Sequence, residues 1–242
     1  TKAGGGSGSV FSSPAGLACG TTCTASFATN QAVTVFASPA AGSVFGGWGD
    51  ACAGSGTCNV TMDVSKGVTA TFARQQFALT VAKAGAGSGT VTSSVAGIDC
   101  GAACLASFDI GTVVTLVPSP ATGSAFTGWS GACTGTGACM VTMDAARGVT
   151  ATFALQPFAL AVSKTGAGSG TVTSSVPGIA CGSACSANYD FGTMVTLTPV
   201  PAAGSVFAGW SGDCTGTGAC QVAMTAAQAV VANFSVAAPA VF

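Results

Sequence analysis

The residue string repeats every 81 positions, and the chain is one residue short of three periods. Trp48, Trp129 and Trp210 lie 81 apart, as do Cys19, Cys100 and Cys181, with VFGGWGDAC, AFTGWSGAC and VFAGWSGDC around the indoles. A fixed period of this kind marks an array, in which each unit adds length or surface. The register divides the chain into modules at residues 1–76, 77–157 and 158–234, followed by a C-terminal tail, 235–242.

Within a copy the apolar residues alternate. Phe77, Leu79 and Val81 interleave with Ala78, Thr80 and Ala82, and Phe158, Leu160 and Val162 repeat the pattern, which is the period of a half-buried strand. Val33 and Val35, Val114 and Leu116, and Val195 and Leu197 flank single threonines, and Pro39, Pro120 and Pro201 are expected to stop those strands. Cys139, Val141 and Met143 share one face, and Val149, Ala151 and Phe153 return on the same face after a short loop. That pattern predicts a hairpin closed by a left-handed residue at Gly148. Ala229, standing at that position in the third copy, would then be strained by about 1 kcal/mol. Asn30 replaces Gly111 and Gly192 and is the side chain best suited to such a backbone. No stretch has a helical period. The expected fold is all-β: three tandem β-rich modules, grasp-like or small sandwiches.

Twelve cysteines fall four to a copy, first as Cys-x3-Cys and then as Cys-x5-Cys. An even count at repeated spacings in a Gly-rich chain reads as a disulfide framework, which persists in an oxidising compartment. Zinc is the competing reading, but no histidine is present and the Cys-x2-Cys knuckle is absent. Three pairings are open within each copy. The local ones are favoured, Cys19 with Cys23 and Cys52 with Cys58, then Cys100 with Cys104, Cys133 with Cys139, Cys181 with Cys185 and Cys214 with Cys220. The Gly after the first cysteine of each close pair permits the tight backbone turn, and the Gly-rich span of the wider pair can serve as a hairpin turn.

Charged residues make up 5% of the chain against about 25% in an ordinary domain. So few cations cannot form the basic stripe that nucleic acid requires, and nucleic acid is not an expected partner. No apolar run approaches the roughly 20 residues of a membrane-spanning helix. The chain opens at Thr1 without an apolar leader, so an export signal would lie outside residues 1–242. GAGSGT at Gly85–Thr90 resembles a phosphate loop but lacks the Gly-Lys-Ser/Thr ending and leads into a strand, so it reads as a tight hairpin turn. Histidine-dependent catalysis is excluded by composition. The aspartates stand at turn positions in two copies and are missing from the third, as with Asp63 and Asp144 against Thr225, which fits Asx-turns better than acid chemistry or calcium. Neither an enzymatic activity nor a cofactor is expected.

Trp48, Trp129 and Trp210 admit two readings. They fill the core beside the wider disulfide, or they form a ladder of exposed platforms for a glycan. The scarcity of other large aromatics favours the core.

Taken together, Val-Thr-Ser-Ser-x-x-Gly-x-x-Cys-Gly-x-x-Cys, Gly-Thr-x-Val-Thr-Leu, Phe-x-Gly-Trp-Ser-Gly-x-Cys-x-Gly-x-Gly-x-Cys and Val-Thr-x-x-Phe resemble the divergent internalin-type B-repeat family of bacterial surface and secreted proteins. The resemblance spans essentially the whole chain and implies a compact β-rich module serving as stalk, spacer or adhesive element. It brings no catalytic residues. The first copy is the loosest match, with Asn30-Gln31 for Gly-Thr and Gly49 for Ser.

Lys2 aligns with Lys83 and Lys164, so the first copy has no counterparts of Phe77, Leu79 and Val81. Pro239, Ala240, Val241 and Phe242 match Phe158 to Ala161. The tail of one subunit is therefore expected to fill the vacant strand of the next, giving a head-to-tail homopolymer by strand addition. The expected role is an extracellular or cell-surface structural protein, a filament subunit or stalk segment contacting itself or neighbouring repeats. The alternative is a glycan-binding adhesin.

Overall fold

The computed structural model describes residues 1–20 and 23–239, and every regular element among them is a β-strand. Two compact units partition the chain. One comprises Thr1–Val81, Ser93–Leu116 and Ala138–Val149, the other Ala82–Thr92, Val117–Gly137 and Thr150–Phe242, so the second copy contributes to both.

The third copy shows the module in full. One sheet has the order Ser186–Asp190, Pro157–Thr165, Gln228–Val236, Ser205–Gly212; the other has Gly170–Ser174, Met194–Pro201, Cys220–Ala223. Thr and Val alternate along these strands because β-branched side chains pack well on a pleated surface with one wet face. Leu160, Val162, Val230, Ala232 and Phe234 from the first sheet meet Val172, Val195, Leu197 and Val222 from the second in one core. The opening strand, Pro157–Thr165, runs parallel to its neighbour Gln228–Val236, while the other pairings of the sheet are antiparallel. Its register against Gln228–Val236 goes from Leu160 opposite Gln228 to Thr165 opposite Asn233, while its other edge pairs antiparallel with Ser186–Asp190.

The expected closing hairpin is a sheet change instead. Cys220–Ala223 pairs with Met194–Pro201, whereas Gln228–Val236 pairs with Ser205–Gly212 and the opening strand. Strands on opposite sheets both turn alternate residues inward, so a shared apolar face does not distinguish a hairpin from a crossing between layers. Consequently Gly67 and Gly148 are absent from the left-handed backbone positions, and Ala229 carries no strain of that kind. Asn30 does adopt φ 61, beside φ 80 at Gly111 and φ 82 at Gly192. The strands Ala32–Pro39, Val113–Pro120 and Met194–Pro201 all end at their prolines.

The Gly-rich bends are also crossings. Gly166 and Gly170 join the opening strand to a strand of the other sheet and lie against Phe234. A Cβ at Gly166 would sit 2.0 Å from its carbonyl oxygen, and one at Gly170 would sit 2.4 Å from its ring. Lys2, Lys83 and Lys164 donate to the carbonyls of Gly8, Gly89 and Gly170 across the bend at 3.2, 3.0 and 3.0 Å, so half of the chain's six cations close turns.

In the first copy the opening strand is reduced to Lys2–Ala3, still parallel to Val68–Arg74 through Lys2 opposite Ala70 and Ala3 opposite Thr71. Residues 24–28 form no ladder, although Leu105–Asp109 and Ser186–Asp190 at the same position are strands. A strand needs a partner for its backbone groups, and here that partner is missing. The three apolar anchors absent from this core would each contribute about 1.5–3 kcal/mol when buried. The first module should therefore be the least stable: hydrogen exchange at the Val33 and Val35 amides is expected to be faster than at Val195 and Leu197, and equal protection would refute that ranking.

Candidate functional site

Each tryptophan is built into a cassette with its neighbours. The strand Ser43–Asp50 carries Phe45 and Trp48, and a register shift between Phe45 and Gly47 places both inward. Gly47 lies at φ 135, where the carbonyl of Gly54 comes to 3.1 Å from an added Cβ, so the bulge requires glycine. The Cys52–Cys58 loop then folds over the indole. Trp48 donates its backbone N–H to Gly54 at 2.7 Å and its Nε1–H to Gly56 at 2.8 Å. Trp129 and Trp210 do the same with Gly135 and Gly137, and with Gly216 and Gly218. Phe45 contacts Trp48 at 4.9 Å and Phe72 at 5.8 Å between ring centroids, and both later copies repeat the pair of contacts.

The indoles are 8%, 5% and 5% exposed. Trp48, Trp129 and Trp210 thus present no face on which a sugar could stack, and the platform reading is corrected in favour of packing. Their N–H groups are satisfied internally, as a buried indole requires. Trp129→Phe should cost about 2 kcal/mol by losing the Nε1 bond and leaving a partial cavity. Denaturant titration of the variant checks this, and an unchanged midpoint would detach the indole from stability.

The sulfurs pair Cys19–Cys23, Cys52–Cys58, Cys100–Cys104, Cys181–Cys185 and Cys214–Cys220, with Cα separations of 4.3 to 5.6 Å. Cys133 and Cys139 are disulfide-bonded too. The wider bridge does not close a hairpin, since Ser43–Asp50 and Cys58–Thr61 belong to different sheets. It ties the two layers together beside the indole.

No polar centre emerges from the aspartates. Asp63 pairs with Lys66 at 2.8 Å and Asp144 with Arg147, each three residues on in the same turn. The hydrogen bond from Lys66 holds the Asp63 carboxyl below its ordinary range, and that from Arg147 does the same for Asp144. Asp50 takes φ 67 where Gly131 and Gly212 take φ 93 and φ 86, a turn role the sequence reading missed. Among the described residues no three metal-type ligands converge, and no helix is long and apolar enough to cross a membrane. A depressed folded pKa contributes stability above the unfolded value and loses it as pH falls through the folded one. Melting temperature is therefore expected to stay level from neutral pH down to about pH 5 and to fall below about pH 4; a drop between pH 7 and 5 would contradict this.

The first copy holds an apolar recess. A groove of ≈ 380 Å³ is lined by Val10, Phe27, Val33, Val35, Val60 and Val68, with Thr1 and Lys66 at its rim. Its counterpart in the third copy is filled by the opening strand, whose Leu160 is 0% and Val162 5% exposed. The groove is thus the negative of a strand, open along the residues 24–28 edge. At the other end of the sequence, Ala237 donates its N–H to Gly204 at 2.9 Å and Pro239 is exposed. The remaining tail residues named above, Ala240, Val241 and Phe242, lie outside the described residues.

A second surface feature escaped the sequence reading. Phe11 and Phe36 face each other across adjacent strands with rings 5.2 Å apart and 17° from parallel. They are 47% and 39% exposed. Thr92 and Val117, and Thr173 and Thr198, replace them in the other copies.

A family model for the divergent InlB B-repeat domain matches residues 3–76, 79–157 and 160–238. No curated protein matches the sequence. Among solved structures, the Bacillus anthracis TIE protein aligns at 8% identity and TM-score 0.45, over 85% of this chain and 43% of that one. The pilus adhesin SpaC of Lactobacillus rhamnosus GG aligns at 9% and 0.31, over 78% and 38%. The major pilin T-13 of Streptococcus pyogenes aligns at 9% and 0.28, over 67% and 97%. The chain spans less than half the length of the first two, and likenesses this distant carry no argument about function.

Proposed function

The chain belongs to the divergent InlB B-repeat domain family, and from that premise we propose that it is an extracellular bacterial structural protein, a filament subunit or stalk segment extended by strand complementation. The open groove of the first copy carries the reading. The same slot is occupied in the third copy by the strand that arrives directly from the copy before it. A strand entering the groove gains ladder hydrogen bonds on both edges and buries alternate side chains. In the proposed assembly, the tail of one subunit supplies that strand. Pro239 takes the position of Phe158, and Val241 the deep position of Leu160. Domain boundaries at 76/77 and 157/158 follow from this view, because each module is completed from the preceding one.

The disulfides and cassettes support a load-bearing or surface role. Small cross-linked loops each contribute about 2 kcal/mol on the chain-entropy model and persist in an oxidising, extracellular setting. The aromatic, sulfur and half of the cationic side chains serve packing and turns, which favours a structural over a catalytic protein. Removing Ala238–Phe242 from the chain should abolish filaments in negative-stain images while leaving the circular dichroism spectrum unchanged. Filaments of normal abundance from the shortened chain would exclude the tail as connector.

Phe11 and Phe36 favour a second reading, adhesion. An exposed aromatic pair ringed by hydroxyls, including Ser9, Ser13 and Thr34, suits the apolar face of a glycan. Glycan-array binding lost on Phe11→Ser with Phe36→Ser would favour the adhesin; no signal from the parent chain would dismiss it.

A further inference from the structure

One cation stands apart from the other five. Lys2, Lys83 and Lys164 donate to glycine carbonyls at 3.2 Å or less, and Lys66 and Arg147 pair with Asp63 and Asp144 inside their own turns. Arg74 has no such commitment. The anion within reach is Asp109, whose Oδ2 lies 4.0 Å from Nε with both side chains exposed, and a pair of that kind contributes little. Asp109 is held on the Nε side, since its Oδ1 accepts from Gln76 Nε2 at 2.9 Å. Among the described residues no hydrogen bond engages the Nη edge of Arg74, the fork that grips a carboxylate through two parallel bonds.

That fork borders a notch of ≈ 310 Å³ where the first copy meets the second, lined with Gly5, Gly6, Ser7, Gly42, Ser43 and Ile110. Neutral donors stand beside the cation. Ser43 Oγ accepts the Ser7 N–H at 2.9 Å and keeps its own proton to give, and the Gly5 N–H has no backbone acceptor among the described residues. The next junction along the chain shows what keeps this notch open. There Leu155 stands for Arg74 and Phe191 for Ile110, and the Phe191 ring covers Gly123, 2.1 Å from where a Cβ would be. Ser124, the counterpart of Ser43, is buried. At the first junction Ile110 comes no nearer than 3.2 Å to the same point on Gly42, and Ser43 stays half-buried.

We propose that the Arg74 notch binds a carboxylate-bearing sugar, one uronic acid unit of an acidic polysaccharide. The carboxylate takes the Nη fork. Asp109 leaves the site close to neutral before the ligand arrives, which suits one negative charge and disfavours a phosphate dianion. The volume lies at the small end of ligand pockets and admits a single pyranose ring. Its hydroxyls meet Ser7, Ser43 and the Gly5 N–H, and the glycines let the ring rest against bare backbone. This site is separate from the strand groove and from the Phe11 and Phe36 pair, so it stands or falls independently of both readings above.

Amide chemical shifts of the isotope-labelled full chain, titrated with glucuronic acid at neutral pH, test this. The Gly5, Gly6, Ser7 and Gly42 amides should shift saturably, and glucose and inorganic phosphate should each bind at least about tenfold more weakly. Arg74→Gln should weaken glucuronate binding by about tenfold or more with the rest of the spectrum unchanged. Arg147→Gln removes the same charge from a turn outside the notch and should leave the affinity as it was. Ile110→Phe, which imports the plug of the next junction, should close the site with Arg74 in place. Phosphate or glucose binding as tightly as glucuronate would overturn the assignment of ligand. The absence of saturable shifts in the parent chain, or undiminished binding by Arg74→Gln or Ile110→Phe, would overturn the site.

Discussion

A single parallel strand pairing governs this protein. The ladder between Pro157–Thr165 and Gln228–Val236 inserts a strand from the junction with the preceding copy into the middle of a four-stranded sheet. Leu160 and Val162 then become the centre of the core between the two layers. Without that strand, the neighbouring edge loses its partner, the apolar floor is uncovered and residues 24–28 stop being a strand. All three consequences are visible in the first copy, which keeps only Lys2–Ala3 of the ladder. The groove and the unladdered segment are therefore one physical event: backbone groups and apolar side chains deprived of the same partner.

A module of about 80 residues buries a thin core, and the rest of its chemistry compensates for that. The wider disulfide joins the two sheets where the chain changes layer, and the loop it closes folds over an indole that bonds the loop's own carbonyls. The lysines close the glycine-rich bends, and the glycines let those bends lie against a phenylalanine. Charge is spent on turns, not on a field that would steer a ligand. The surface left over is neutral and rich in small hydroxyl residues, which offers little protection against association.

Reading periodicity succeeded where the signal was local. Alternation located the strands around Val195 and Leu197 and the opening strand, prolines marked their ends, and Asn30 in place of two glycines pointed to a left-handed turn. It failed where the outcome depended on the layer to which a strand returned. Cys139 to Met143 and Val149 to Phe153 present identical patterns whether they pair with each other or sit on opposite sheets. The strain assigned to Ala229 vanished with the hairpin. Phe11 and Phe36 were equally invisible, because 25 residues separate them and only the pairing of Val10 with Ala37 and its neighbours makes them adjacent.

The 81-residue period alone determined that the chain is an array, and the spacing of cysteine, glycine and tryptophan within it determined the cassette, because those residues interact over a few positions. Only tertiary structure decided that the first copy holds a groove, that the tryptophans face inward, and that the junction residues Gln75 and Gln156 are held by backbone hydrogen bonds on both sides. Those outcomes join positions far apart in sequence, such as Phe45 with Phe72 within one copy and Gln75 with Ile110 across two. Contacts of that range are set by which strands share a sheet, and alternation along a strand carries no record of its neighbours.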